Sequence, residues 1–151
     1  MSLSPKNIRE KVDFLLTEAG FEPTELVDLL VDQRYLLSLS VSQNLRPKVN
    51  FFKAAGLIEK DKLLSDVLKS RWYLFTSLPS KIIPRYRYLR HFGLEDQLNL
   101  HVVCIASTRE FDALAAASQP RGVSLDEFLV KYPMQEAERR EFERLCRAQI
   151  F

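Results

Sequence analysis

Apolar residues recur along this chain in three- and four-residue steps, over three stretches that look alike. The first is Ile8-x-x-x-Val12-x-Phe14-Leu15, and the second is Leu45-x-x-x-Val49-x-Phe51-Phe52. The third runs from Ile82 through Tyr86 and Tyr88 to Leu89. Such spacing puts the apolar side chains on one face of a helix. Gly20, Gly56 and Gly93 follow the three stretches, where a left-handed residue closes a helix. Pro47 and Pro84 fall near two of the starts, where a missing N–H costs little. Second helices are predicted over residues 26–31, 63–68 and 100–105. Tyr35-Leu36-Leu37 and Trp72-Tyr73-Leu74 are too short for a full helix and suit a 3₁₀ turn.

The three stretches are copies of one unit. A shift of 37 positions lays Arg34 on Arg71, Leu37 on Leu74, Ser40 on Ser77 and Pro47 on Pro84. Similar residues fill the gaps: Tyr35 with Trp72, Leu45 with Ile82, Lys48 with Arg85. Upstream, Lys11-Val12 and Phe14 fall on Lys48-Val49 and Phe51. Tyr86 and Tyr88 fall on Val49 and Phe51, which favours the core for both tyrosines. A period of this length signals stacked pairs of helices, each unable to bury its apolar face alone. The fold class predicted is therefore all-α, a helical-repeat solenoid. Its units cover about residues 5–41, 42–78 and 79–111.

After Phe111 the period fails. Residues 112–123 are small and polar, with Pro120 and Gly122 marking a break. Ser124-Leu-Asp-Glu127 reads as a capping box ahead of Phe128-Leu129-Val130. A last helix, roughly residues 136–148, is laced with charges. Residues 112–151 are expected to form a divergent C-terminal helical cap.

Composition narrows the class without changing it. Four glycines among 151 residues argue against a sheet-rich fold. No apolar run reaches the roughly 18 residues of a membrane span. Met1 to Ser4 lead straight into helix-like sequence, with no sign of a signal or transit peptide. Charge is more telling. The net value of +2 conceals a block, residues 45–90, with eleven basic and three acidic side chains. One sign of charge gathered this way suits an anionic partner.

Chemistry is sparse. Cys104 and Cys146 stand in no metal or redox spacing, and packing explains both. His91 and His101 lie far from any cysteine or carboxylate pattern and read as surface or helix-packing residues. No glycine-rich phosphate loop occurs, and Ser38, Ser40 and Ser77 suit caps better than nucleophiles. No catalytic residue, metal or cofactor is predicted. The candidate binding residues are instead basic: Arg34, Arg46, Lys48, Arg71, Lys81, Arg85, Arg87 and Arg90. Several hold matching places in successive units, so stacking should lay them along one edge. A stripe of that kind can follow a phosphate backbone.

Gly20-Phe-Glu-Pro-Thr-Glu25, Tyr35-Leu-Leu-Ser-Leu-Ser40 and Asn44-Leu-Arg-Pro-Lys-Val-Asn-Phe-Phe52 resemble repeats of the mitochondrial transcription termination factor (mTERF) family. Ser77-Leu-Pro-Ser-Lys-Ile-Ile-Pro-Arg-Tyr-Arg-Tyr-Leu89 and Ser124-Leu-Asp-Glu-Phe-Leu-Val-Lys-Tyr132 look like a plant-type organellar member. The resemblance covers roughly residues 5–145. It implies a left-handed superhelix of helix pairs and short 3₁₀ turns, with a concave basic surface for nucleic acid. It also implies work in mitochondria or chloroplasts. Members of the family usually carry more repeats than three, and no base-intercalating residue carries over. The expectation is a non-catalytic protein that binds double-stranded DNA through its backbone and regulates organellar transcription or its termination. The alternative is an RNA-binding or protein-interaction adaptor in RNA processing or ribosome assembly.

Overall fold

The structure, a computed structural model, describes residues 5–18, 21–32, 38–57, 76–118 and 122–151. Gly20, Arg34, residues 35–37 and 63–68, Arg71, residues 72–74 and Pro120 lie outside them. Among the described residues every regular element is helical. The long helices are α1 (Pro5–Thr17), α2 (Pro23–Asp32), α3 (Arg46–Ala54), α4 (Ile83–His91), α5 (Thr108–Ser118), α6 (Leu125–Lys131) and α7 (Glu136–Cys146). The fold is an all-helical repeat.

The first helices of the second and third units begin four residues before the apolar pattern does. Ser40 and Ser77 are their N-caps, and each hydroxyl oxygen accepts the N–H three residues on, at Gln43 and Ser80. A π-helical turn follows in both, over Val41–Leu45 and Leu78–Ile82. The N–H of Arg46 reaches back five residues to Val41 O, and that of Ile83 to Leu78 O. Pro47 and Pro84 lie just past these two turns and suit them. A proline inside a helix has no N–H to give, and its ring crowds the carbonyl four residues earlier. A wider turn relieves both problems. In the first unit Glu10 stands where the others have proline, and the described part of α1, from Pro5, is α-helical.

The helices end as the glycines foretell. Gly56 and Gly93 have φ of +69° and +68°, and the next residues bond back, Leu57 N–H to Phe52 O and Leu94 N–H to Leu89 O. Their apolar faces build the core in register. Phe14, Phe51 and Tyr88 are equivalent and buried, as are Leu15, Phe52 and Leu89. Tyr86 and Tyr88 are both core residues, and the Tyr88 hydroxyl donates to the Val123 carbonyl.

The third unit departs from the expected break. Residues 112–118 continue helix α5, and Ala115 in their midst is buried. Alanine is the best helix former, so a small-residue run favours a helix here over a loop. A π turn over His101–Ile105 stands in the second-helix position. Ser124 caps α6 by accepting the Glu127 N–H, the first half of the predicted capping box. Helix α6 packs on α4, and α7 packs along α3. Phe142 of α7 meets the rings of Phe51 and Tyr86 at 6.1 and 6.0 Å between centroids. The C-terminal segment thus shares the core of the second and third units.

Candidate nucleic-acid interface

Six of the eight predicted cations lie in the described residues, and they do not form one exposed edge. Arg46, on the first turn of α3, reaches back to the first unit. Its Nη2 lies 2.9 Å from Glu18 Oε2, and its guanidinium stands 5.7 Å from the centre of the Phe14 ring. The hydrogen bond to Glu18 raises the arginine's pKa above its usual value. Arg85 is 2% exposed. It donates from Nη1 to Val102 O at 2.7 Å, inside the His101–Ile105 π turn, and lies 5.0 Å from the centre of the Phe111 ring. Burial lowers its pKa from the usual value. Arg87 pairs with Glu138 and donates to Tyr132 O at 2.9 Å, holding α4 to the C-terminal helices. These three arginines join elements of the fold together.

The other three differ. Arg90 is exposed, with its guanidinium 5.3 Å from the centre of the Tyr86 ring. With His91, Lys131 and Tyr132 it borders a surface hollow of about 530 Å³ between α4, α6 and α7. Lys81 is partly buried, and its pKa is lowered first by burial and then by the charge of Arg85. Lys48 is 4% exposed, and burial pulls its pKa from 10.5 down to about 8. Both cysteine thiols are buried and pushed up to about 12, so neither is a nucleophile at neutral pH.

The repeat places the buried cations more strictly than it places the exposed ones. Lys11, Lys48 and Arg85 are equivalent under the 37-residue shift, and all three are buried. Two of them border grooves between neighbouring units. Asn7, Lys11, Ser40 and Val41 line one of about 240 Å³. Their counterparts Asn44, Lys48, Ser77 and Leu78 line the other, of about 510 Å³. Sequence reasoning missed Asn44 and Ser77 as groove residues. The signal was present, because the shift that aligns Lys11 with Lys48 also aligns Asn7 with Asn44. His91 and His101 are exposed, and no cluster of three His, Cys, Asp or Glu among the described residues is placed to hold a metal.

No curated protein and no solved structure matches the chain. The mTERF family profile matches residues 1–112, well over half of the 151. With the helical repeat now in place, the chain belongs to the mTERF family.

Proposed function

We propose that this protein is a non-catalytic binder of double-stranded DNA, held through the sugar-phosphate backbone, that regulates transcription or its termination in mitochondria or chloroplasts. Membership of the mTERF family supports the coarser part of this reading, a nucleic-acid-binding and transcription-related role in an organelle. The finer part rests on one observation: residues 45–90 carry eleven basic and three acidic side chains, and among the described ones Arg90 is exposed and Arg46 partly so. Repeating units meet a duplex, whose charges also recur, most simply through phosphates. Backbone contact of this kind carries little sequence information and a strong salt dependence.

The test is a titration of a labelled duplex at several salt concentrations. Affinity that falls steeply and linearly on a log–log plot supports the reading. A single-stranded RNA in the same assay separates the nucleic acids. If RNA binds more tightly than duplex by tenfold or more, the DNA assignment is overturned and an RNA-processing role takes its place.

A further inference from the structure

We infer that the hollow between α4, α6 and α7 is a site for one nucleotide unit, with its base on an aromatic shelf and its phosphate among exposed cations. The inference extends the nucleic-acid reading above and rests on it for the class of ligand. The shelf is built from two elements. His91 ends α4 and Tyr132 follows α6, and their ring centroids lie 4.3 Å apart at a tilt of 43°. Phe128, 1% exposed, backs both rings, 5.2 Å from that of His91 and 5.4 Å from that of Tyr132. Tyr132 is also held through its main chain, since Arg87 donates to its carbonyl while pairing with Glu138. His91 and Tyr132 nevertheless remain exposed. Fixed rings presented to solvent beside cations are platforms on which single bases stack.

The charges around the shelf fit the same ligand. Arg90 and Lys131 are exposed and line the hollow, and the Lys131 Nζ stands 5.5 Å from the centre of the Tyr132 ring. Two carboxylates line it as well. Glu138 is offset by its pairing with Arg87, whereas Glu141 is exposed. A carboxylate opposes a bare phosphate, but it accepts hydrogen bonds from the amino group of a base or the hydroxyls of a sugar. Rings, cations and a carboxylate in one hollow therefore match a nucleotide better than a phosphate alone. The volume, about 530 Å³, falls within the range usual for small-ligand sites.

The hollow is not a feature of the repeat. Under the 37-residue shift Arg90 and His91 fall on Lys53 and Ala54, so the second unit has no counterpart of the His91 ring. Lys131 and Tyr132 lie beyond residue 112, where the family match ends. The site arises where the C-terminal cap meets the third unit, and Phe142 of α7 completes its lining.

The test compares a labelled blunt DNA duplex with the same duplex carrying a short single-stranded overhang, both bound to the whole chain. The overhang should tighten binding about tenfold, the worth of one stacked base. Tyr132→Ala should remove that gain and leave blunt-duplex affinity unchanged, whereas Tyr132→Phe should keep it. Lys131→Gln, at an exposed side chain, should lower the log–log salt slope of the overhang complex by about one. Should Tyr132→Ala fail to fold, Lys131→Gln and a competition experiment decide. Adenosine monophosphate should compete for the overhang gain, and inorganic phosphate at the same concentration should not. A gain that resists adenosine monophosphate yet falls in both variants assigns the site to a nucleotide within a strand. Adenosine monophosphate binding that Tyr132→Ala abolishes, with no overhang gain, assigns it to a free nucleotide. A gain that both variants keep, equal competition by phosphate, or neither gain nor adenosine monophosphate binding overturns the site and leaves duplex binding standing. Absence of blunt-duplex binding, while adenosine monophosphate still binds, overturns the duplex reading and leaves the site.

Discussion

Lys48 shows how one residue can look like a surface contact in sequence and prove otherwise. Its place in a basic block reads as a solvated charge, but it is 4% exposed. The signal that separates the two cases is its company: Lys11 and Arg85 hold the same place in the unit and are buried as well. A position that is basic in every unit and next to apolar neighbours is a structural position. Apolar periodicity cannot reveal this, because it counts a lysine as polar whatever its stem packs against. The consequence for stability has a definite sign. The folded pKa is about 8, against 10.5 when unfolded, so between those values the unfolded chain binds more protons. Stability therefore rises with pH across that window, by about 1–3 kcal/mol, and Lys48→Met removes the rise. Urea melts at pH 7.5 and 9.5 check it; parallel pH dependence in both proteins would contradict the assignment.

At the scale of elements, helix type and helix ends were legible from different residues. Glycines at the C-termini fixed where α3 and α4 stop, and their positive φ values are the reason. The starts were misplaced by four residues. Apolar spacing begins at Leu45 and Ile82, whereas Ser40 and Ser77 cap the helices. The intervening π turns break the 3.6-residue period, so a helical pattern cannot extend through them. Prolines read only as starting signals sit just past those turns, where the wider turn suits a residue with no N–H to give. The helix of the third unit is thus bracketed by Ser77 and Gly93. Ser77→Ala should cost about 1 kcal/mol through the lost cap. Gly93→Ala should cost about 1 kcal/mol, through backbone strain alone, since a Cβ there meets nothing within 4 Å. Chemical denaturation of the two single variants measures both; a loss under about 0.3 kcal/mol in either would show that the bracket is not limiting.

The molecule as a whole is less linear than a stack of units suggests. Helix α7 lies along α3, and its Phe142 is 3% exposed among aromatic rings from two units. Nothing in the charged sequence of residues 136–146 announces where such a helix docks, because amphipathicity gives a face and not a partner. Phe142→Ala should cost about 3–4 kcal/mol, the usual loss for an aromatic removed from a packed core. A melting temperature unchanged by that substitution would mean the C-terminal helix is dispensable to the core. The repeat and the basic block were legible in sequence; the sharing of arginines between fold and surface was not, since Glu18 and Glu138 lie 28 and 51 residues from their partners. The most direct measurement is the affinity of the chain for duplex DNA as salt rises from about 50 to 200 mM. The account predicts tight binding at the low end and a linear log–log fall of at least tenfold across the range. No binding at the low end, or an affinity indifferent to salt, would contradict it.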